Sequence, residues 1–246
     1  MIIVGWNCNG NFEKKLAFCN NTTKKELIQE KFKPDIMVIL ECEKRKDEND
    51  DKYIWYGENK NRGVAVYMNS QDYSIEFFEG FNKEFKYVVP IRVKGKIEFV
   101  LIAVWTQKVG RKNEEYLGQL TKALEYYEEN FNLLKEPVII IGDFNMDKTI
   151  EERYKYKYPA SLTELVDFLR KRGIESVYHK FFKEEFGKET RPTFFHRNPC
   201  AGRFHTDYCF VSKFFLEKLK KVEVGKCKEW IIHSDHMPIV IEFENL

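Results

Sequence analysis

The segment Ile139-Ile-Ile-Gly-Asp-Phe-Asn145 is an apolar run that ends in a carboxylate and a carboxamide. Residues two apart in an extended chain point to the same side. Asp143 and Asn145 are therefore predicted to face one pocket at the carboxyl end of a buried strand. A base beside a hydrogen-bond donor is typical of hydrolysis, in which one group orients water and the other holds an oxyanion.

Length and composition indicate a folded chain with a sizeable core. The 246 residues are enough for one large domain or two small ones, and 43% of them are hydrophobic and 15% aromatic. The 41 basic residues nearly balance the 39 acidic ones, which leaves a net charge of +2. Bulk charge therefore does not indicate a nucleic-acid-binding protein, and any anion-binding surface has to be a local patch.

The six cysteines are scattered, with no CxxC pair and no zinc-ligand spacing. Several lie in apolar runs such as Tyr208-Cys209-Phe210, where a free cysteine behaves as a small buried hydrophobe, so reduced thiols are expected. The N-terminal sequence lacks the basic region and cleavage site of a signal peptide. No apolar run approaches the roughly 18 residues of a membrane span. The chain is predicted to be soluble and cytoplasmic, and a monomer is favoured.

Strand and helix patterns are interspersed along the chain, and many strands follow each other in pairs. The predicted strands are Ile2–Cys8, Asp35–Leu40, Val64–Met68, Tyr73–Phe78, Tyr87–Val93, Ile97–Trp105, Val138–Ile141, Pro192–Phe195, Phe204–Val211, Val222–Gly225 and Ile239–Phe243. The predicted helices are Thr23–Phe32, Asn113–Asn130, Ser161–Arg172 and Lys213–Leu219. Eleven strands are too many for one small open sheet. The pattern predicts a mixed α/β protein, with two packed sheets covered by helices, in a single domain of residues 1–246.

Amides and a histidine follow apolar runs near both ends of the chain. Trp6-Asn7-Cys8-Asn9-Gly10 carries two amides at alternate positions. Asn9-Gly10 is a strong turn signal, whereas Asn7 lies further into the strand, where an amide needs a partner. Ser234-Asp235-His236 precedes the last strand. This triplet either caps a turn or contributes an acid and an imidazole to a site.

Two more carboxylates lie at poorly solvated positions. Glu41 ends five apolar residues, and Asp207 lies inside a strand pattern. A carboxylate in such a position needs a cation to compensate for its lost hydration. For Glu41 that cation is either Lys44 or Arg45 in an ordinary ion pair, or a hard metal ion bound by carboxylate and amide oxygens.

Taken together, the clusters contain acids, amides and a histidine. This oxygen-rich set favours Mg²⁺ or Mn²⁺ over zinc. The sequence contains no GxSxG motif, which argues against acyl-enzyme chemistry, and no GxxxxGK[ST] loop, which argues against NTP-driven phosphoryl transfer. Asp143-x-Asn145-x-Asp147 is like the start of an EF-hand, but the sixth loop position is Lys148 rather than glycine, and the twelfth is Tyr154 rather than glutamate.

The order of these clusters resembles the endonuclease/exonuclease/phosphatase superfamily, which includes exonuclease III-like and DNase I-like enzymes. The residues that carry the resemblance are Trp6-Asn7-x-Asn9-Gly10, Glu41, Gly63-Val-Ala-Val, Gly142-Asp143-Phe144-Asn145, Asp207-Tyr208 and Ser234-Asp235-His236. They extend over residues 3 to 243. The resemblance implies a four-layer α/β sandwich, DNase I-like, with two mixed sheets face to face, helices outside, and a divalent-metal phosphoesterase site along one edge.

Metal-binding roles follow from the resemblance. Glu41 takes the position of the principal Mg²⁺ ligand, with Asn7 and Asp235 close to the metal. Asn9 occupies a position that approaches the metal in some relatives. Mg²⁺ or Mn²⁺ is therefore the expected cofactor.

The catalytic roles carry over in the same way. Asp143 is expected to orient or deprotonate the attacking water, and Asn145 to hold the scissile phosphate. His236 is expected to contact a phosphate oxygen, while Asp207 fixes its ring and protonation state. This assignment agrees with the physics of an in-line attack, because the metal and the imidazolium neutralise charge that builds on the phosphate.

Substrate signals are local. DNA-repair members of the superfamily carry a tyrosine just after the strand that ends here at Trp105, and other branches carry a histidine. This chain has neither, because Thr106-Gln107 follows Trp105. Abasic-site specificity is therefore not implied. Arg62, Arg203 and His205 combine charge and aromatic character near the expected site. With Trp105, they are the predicted substrate-binding residues, and such mixtures hold phosphates and stack bases. A nucleic acid or nucleotide is favoured as substrate.

The leading hypothesis is a Mg²⁺-dependent phosphodiesterase, and specifically a nuclease, that hydrolyses DNA or RNA through an activated water. The alternative enzyme is a phosphatase or phosphodiesterase that acts on a small-molecule or lipid phosphoester. The alternative outside enzymes is a non-catalytic member of the fold that binds nucleic acid. A pure binding scaffold has no physical need for an acid, an amide and an Asp-His pair together.

Overall fold

A computed structural model describes residues 1–15, 21–46, 49–108, 115–154, 157, 160–196, 201 and 203–246. The strands are β1 (Ile2–Asn7), β2 (Ile36–Cys42), β3 (Tyr53–Asn59), β4 (Arg62–Met68), β5 (Tyr73–Phe77), β6 (Val88–Gly95), β7 (Phe99–Trp105), β8 (Val138–Asp143), β9 (Ile174–Ser176), β10 (Phe194–Phe195), β11 (Arg203–Phe204), β12 (Asp207–Ser212), β13 (Leu219–Val224) and β14 (Ile239–Phe243). They form two six-stranded sheets, in the orders β13-β14-β1-β2-β4-β3 and β5-β6-β7-β8-β12-β9, and a hairpin of β10 with β11. Both large sheets contain parallel and antiparallel pairs.

The helices are α1 (Lys24–Phe32), α2 (Leu117–Phe131), α3 (Lys148–Arg153), α4 (Leu162–Arg170), α5 (Val177–Phe182), α6 (Lys213–Leu216) and α7 (Cys227–Trp230), and a 3₁₀ turn spans Leu133–Lys135. Thr23 and Ser161 begin α1 and α4 with capping boxes, in which side chain and backbone bond reciprocally. Within the described part of the chain, no helix combines the length and apolarity that crossing a membrane requires.

The inner faces of the two sheets share one apolar core. Ile3 and Val38 of the first sheet belong to the same fully buried cluster as Leu101 and Ile139 of the second. Because side chains alternate along a strand, the other face of each sheet also carries apolar residues. Helices α2 and α4 cover the outer face of the second sheet, and α1 and α7 cover that of the first. This arrangement is the four-layer α/β sandwich that the sequence predicted.

The predicted elements agree with the structure except at short or unusual segments. All eleven predicted strands are found, although Phe204–Val211 divides into β11 and β12. The prediction missed β3, which follows a run of charged residues, and β9, which has three residues. The helices α3, α5 and α7 were also missed, because four to six residues show too little periodicity. The predicted helix Asn113–Asn130 begins at Leu117, and residues 113–114 lie outside the described residues.

Three cysteines match the expectation of reduced thiols, and one corrects it. Cys8, Cys42 and Cys209 are buried and free, and each belongs to an apolar cluster. Cys227, at the first turn of α7, is disulfide-bonded, so the expectation that all six thiols are reduced was wrong. Cys19 and Cys200 lie outside the described residues.

Gly142 permits a close backbone approach directly before Asp143. Its φ is +150°, and a Cβ built on it would lie 1.8 Å from the carbonyl oxygen of Val104. Strands β7 and β8 pair in parallel at this point, with Val104 opposite Gly142. Since a larger residue would push β7 away, the glycine helps to place the end of β8.

Candidate active site

The predicted polar clusters converge at one edge of the molecule, where strands of both sheets end. Asn7 is the last residue of β1 and lies opposite Leu40 of the parallel strand β2, one residue before Glu41. Asp143 ends β8 and pairs with Asp207, the first residue of the antiparallel strand β12. Backbone pairing therefore brings together side chains that lie far apart in the sequence.

Several site residues have a left-handed backbone. The φ angles of Glu41, Asn9 and Asn145 are +54°, +51° and +49°. Asparagine tolerates this region well, whereas glutamate rarely adopts it. Glu41 also lies at a register shift in β2, between Leu40 and Cys42. Such bulges redirect a side chain, and strain of this kind is concentrated at functional sites.

The carboxylate of Asp143 is fully buried and held by amides. The Nδ2 atom of Asn7 donates to Glu41 Oε1 and to Asp143 Oδ2, both at 3.0 Å. The backbone N–H of Asn145 donates to Asp143 Oδ1 at 2.8 Å. Its Nδ2 donates to Asp143 Oδ2 at 3.0 Å and to the carbonyl oxygen of Thr106 at 2.9 Å. Asp143 and Asn145 thus lie together, as predicted, but Asn145 reaches Asp143 through a left-handed turn after β8 and not along extended chain.

His236 lies between two buried carboxylates. Its Nδ1 is 2.9 Å from Asp207 Oδ2, and its Nε2 is 3.8 Å from Asp143 Oδ2. The ring stacks on Phe194, with centroids 4.5 Å apart, and the backbone N–H donates to Ser234 Oγ at 3.0 Å. The Ser-Asp-His segment therefore both forms a capped turn and presents the imidazole to the site.

The pKa values of Asp143 and His236 are both raised, by different causes. Burial raises the pKa of Asp143 to about 7, against the opposing attraction of His236. Burial by itself would lower the pKa of His236, but the carboxylates of Asp207 and Asp143 raise it to about 10. The surrounding carboxylates therefore favour the imidazolium form of His236 at neutral pH, while burial favours the protonated form of Asp143.

Stability of the metal-free protein is expected to fall as pH rises from about 6.5 towards 9. Unfolded histidine releases its proton near 6.5, whereas folded His236 keeps its proton up to about 10. The stabilisation that this proton provides is complete below 6.5 and is lost as pH rises through the folded pKa. Denaturant unfolding in EDTA at several pH values would measure this slope. In His236→Gln the slope is expected to be much shallower, and an equal slope in both proteins would contradict this assignment.

Potential metal ligands are crowded at this edge. Within the described ranges, the ligand atoms of Asp143, Asp207 and His236 lie within 4.8 Å of one another, close enough to hold a metal ion. All three side chains are buried. These three residues were predicted to be catalytic, and the cluster does not include the predicted metal ligands Glu41 and Asp235. Glu41 is connected to it through Asn7, which donates to both Glu41 and Asp143.

The predicted metal ligands line the outer side of the same cluster. Glu41 accepts from Asn7 and from the guanidinium of Arg62, so its carboxylate is already a cation-binding group. Asn9 Nδ2 donates to Asp235 Oδ1 at 3.4 Å, which places Asp235 beside the same loop. Carboxylate and amide oxygens are the donors that Mg²⁺ and Mn²⁺ prefer, so these residues fit a hard divalent cation.

Glu41 forms an ion pair, as one of the two alternatives predicted, but its partner is neither Lys44 nor Arg45. The paired cation is Arg62, whose Nη1 lies 2.8 Å from Glu41 Oε2. Arg45 pairs with Asp50 at 2.6 Å. Arg62 is distant in sequence and reaches Glu41 because β4 is the neighbour of β2 in the sheet.

The other predicted substrate-binding residues differ in accessibility. Arg203 is exposed on β11. Trp105 is 7% exposed and packs on Tyr87, with ring centroids 4.8 Å apart. His205 is 3% exposed, and its Nδ1 bonds to the carbonyl oxygen of Arg191 at 3.0 Å. In this conformation, Arg203 is exposed to solvent, whereas Trp105 and His205 are parts of the packed interior.

Two residues that support the site were missed by sequence reasoning. Lys24 is 4% exposed, and its Nζ donates to the carbonyl oxygens of Cys8 and Gly10, which holds the loop that carries Asn9. Thr193 is fully buried, and its Oγ1 accepts the backbone N–H of Asp207 at 3.0 Å. A lysine at the start of a capped helix and a lone threonine carry no sequence signal for these contacts, which depend on tertiary packing.

Two packed mixed sheets with a carboxylate, amide and histidine site at one edge define the class of phosphoesterase sandwiches that the sequence motifs predicted. Residues 4–226 match the model of the Endonuclease/Exonuclease/phosphatase family, and the chain belongs to this family. The resemblance inferred from the sequence is thereby confirmed. No curated protein sequence matches the chain.

Solved structures share the fold over the whole chain. The 3′ phosphatase NExo from Neisseria, bound to product DNA hairpin, has 18% identity and a TM-score of 0.67 over 100% of both chains. An AP endonuclease from Archaeoglobus fulgidus has 17% identity and a TM-score of 0.70 over 100% of both chains. The endonuclease domain of TRAS1, a telomere-specific non-LTR retrotransposon, has 16% identity and a TM-score of 0.63, covering 99% of this chain and 98% of that domain. At these identities the likeness establishes the fold, and activity has to be argued from the site.

Proposed function

We propose that the chain is a divalent-metal-dependent nuclease that hydrolyses phosphodiester bonds of DNA or RNA by in-line attack of water. The observation that carries this proposal is the setting of Asp143. Its fully buried carboxylate is held by Asn7 and Asn145 and lies 3.8 Å from His236. A carboxylate in this setting can take a proton from water while the imidazolium neutralises charge on the phosphate. Membership of the family supports the same chemistry.

The site residues have distinct proposed roles. Asp143, in its ionised form, orients the attacking water and accepts its proton, and a pKa of about 7 suits this task near neutral pH. His236 donates from Nε2 to a phosphate oxygen, and Asp207 holds its ring through Nδ1. Asn145 Nδ2 faces Asp143 and Thr106 in the free protein. We propose that this amide turns to the phosphate when substrate enters.

Mg²⁺ or Mn²⁺ is the proposed cofactor, held by Glu41, Asn7 and Asp235, with Asn9 nearby. When bound, such an ion neutralises negative charge on the phosphate and on the leaving oxygen. Glu41 is the proposed principal ligand, because it carries a negative charge and lies on a bulge at the edge where the cluster lies. The amide of Asn7 then couples this carboxylate to Asp143, which joins cation binding to water activation.

Nucleic acid is the proposed substrate because charge and aromatic surface meet at the rim of the site. Arg62 is exposed beside Glu41, and the half-buried ring of Phe194 lies against His236. Arg203 is exposed on β11, which pairs with the strand that carries Phe194. Arginines bind phosphates and aromatic rings stack on bases, and both interactions are tolerant of sequence. The DNA hairpin bound to the similar 3′ phosphatase is consistent with such a substrate on this fold.

Cleavage of end-labelled oligonucleotides tests the proposal. The substrates are single-stranded and duplex DNA and RNA, abasic DNA, and DNA with a 3′ phosphate, each with Mg²⁺, Mn²⁺ or EDTA. We expect metal-dependent cleavage that is lost in His236→Ala, which serves as the control for a contaminating nuclease. Release of a 3′ phosphate without cleavage of the chain would instead identify a phosphatase, the alternative enzyme. Uncleaved oligonucleotides under all conditions would rule out the nuclease proposal. Small phosphoesters would then be the next substrates to test. If these also stayed intact, binding of nucleic acid without cleavage would be measured.

A further inference from the structure

We propose that Arg62 competes with the divalent cation for Glu41, and that metal binding releases this arginine to bind a substrate phosphate. The inference rests on the proposed function. It adds a specific coupling, in which the metal and the nucleic acid strengthen each other's binding through one side chain. Reciprocal coupling of this kind requires two sites and a group that changes partner between them.

The position of Arg62 is set by a tight hairpin. Arg62 is the first residue of β4 and pairs with Asn59, the last residue of β3. At the tip, the Asn61 N–H donates to Asn59 Oδ1 at 2.9 Å, and the carbonyl oxygen of Lys60 accepts the N–H of Lys44 at 2.8 Å. Because the backbone of the tip is held on both sides, the guanidinium is delivered to the edge that carries Glu41.

The guanidinium contacts two oxygens of the predicted metal site. Its Nη1 lies 2.8 Å from Glu41 Oε2, and its Nη2 lies 3.5 Å from Asn9 Oδ1. The other carboxylate oxygen of Glu41 accepts from Asn7. A divalent cation on Glu41 would therefore meet a positive group on the same carboxylate, and the two cations repel each other at contact distance.

The ion pair of Arg62 with Glu41 lies where a cation from solvent can replace the arginine. The side chain of Arg62 is 57% exposed and that of Glu41 is 18% exposed, so the arginine covers the carboxylate from the solvent side. Exposed ion pairs contribute little to stability, since both partners are well hydrated when separated. The bulge in β2, the left-handed backbone and the hydrogen bond from Asn7 to Oε1 also hold Glu41. We therefore expect its carboxylate to stay in place when Arg62 is lost.

A released guanidinium is well suited to a phosphate. Arginine presents parallel N–H donors that match phosphate oxygens, and its charge persists at all relevant pH values. Arg62 is near the cluster that holds Asp143 and His236, since Glu41 and Asn7 connect them. In the metal-bound enzyme, the arginine would thus neutralise a phosphate at the rim, and in the metal-free enzyme it would neutralise Glu41.

Calorimetric titration of Mn²⁺ into metal-free protein tests the competition without any reaction. We expect Arg62→Ala to bind Mn²⁺ about two- to tenfold more tightly than the wild type, as expected for removing a weak competing ion pair. Lys60→Ala is the matched control, because it removes a positive charge from the same hairpin tip without touching Glu41. Glu41→Gln should weaken Mn²⁺ binding by about 100-fold or more, which identifies the site being titrated. Fluorescence anisotropy of a labelled duplex oligonucleotide, measured in Ca²⁺, tests the second part of the proposal, the binding of a substrate phosphate by Arg62. We expect Arg62→Ala to weaken binding, with a salt slope reduced by about one.

Each outcome is decisive. Equal or weaker Mn²⁺ binding by Arg62→Ala, or equal tightening by Lys60→Ala, would overturn the competition while leaving the proposed nuclease intact. Unchanged oligonucleotide binding in Arg62→Ala would show that the released arginine does not bind a substrate phosphate. Absence of Mn²⁺ binding in the wild type would instead remove the metal site, and the proposed function would fail together with this inference.

Discussion

Replacing Asp143 with asparagine is expected to lower the turnover of phosphodiester cleavage by about 10³-fold, the scale of losing a general base. The amide cannot accept the proton of the attacking water. The side chain keeps its shape, and its carbonyl oxygen is expected to remain at the position that accepts from Asn7 and Asn145. The amide nitrogen then faces the backbone N–H of Asn145, so one hydrogen bond is lost at a cost of about 1 kcal/mol. The variant should therefore stay folded and bind metal while turning over slowly.

Steady-state cleavage assays at saturating Mn²⁺ and substrate would measure this effect, and denaturant unfolding would confirm that the variant is folded. Asp167→Asn is the matched control, because it makes the same chemical change on the exposed face of α4. It should leave turnover unchanged. Turnover of Asp143→Asn within a few-fold of the wild type would show that another group activates the water.

Replacing Glu41 with glutamine is expected to raise the Mn²⁺ concentration for half-maximal activity by about 100-fold or more. Loss of an outer-shell partner typically costs 10–100-fold in metal affinity, and loss of a charged direct ligand should cost at least as much. Glutamine can still accept from Asn7, and the lost pair with Arg62 is exposed, so stability should change by only about 0–1 kcal/mol. Activity should recover in part at high Mn²⁺, since Asp143 and His236 are unaffected.

Activity as a function of Mn²⁺ concentration would measure this shift. Glu129→Gln, an exposed glutamate on α2, is the control for a change of one unit of charge. A Glu41→Gln enzyme that reaches half-maximal activity at the same Mn²⁺ concentration as the control would exclude Glu41 as the principal metal ligand.

Much of the candidate site could be predicted because its signals are local. Asp143 and Asn145 are two residues apart in sequence, so their contact is local, although Asn145 follows β8 with a left-handed rather than an extended backbone. The Ser-Asp-His segment has a similar local origin. Arg62 could not be assigned its partner, since its contact with Glu41 depends on which strand lies beside β2. The same holds for His205, whose burial against Arg191 depends on a neighbouring loop.

By itself, the sequence determined most of the strands, the main helices, the apolar core and the residue types of the site, because these follow from periodicity and from contacts within a few residues. The tertiary structure decided the partners. It placed Asp207 opposite Asp143 across β12 and β8, and put Glu41 on a bulge. It also joined Cys227 in a disulfide bond. Cross-strand register and backbone strain are set by the packing of distant segments, and a pattern read along the chain contains no measure of that packing.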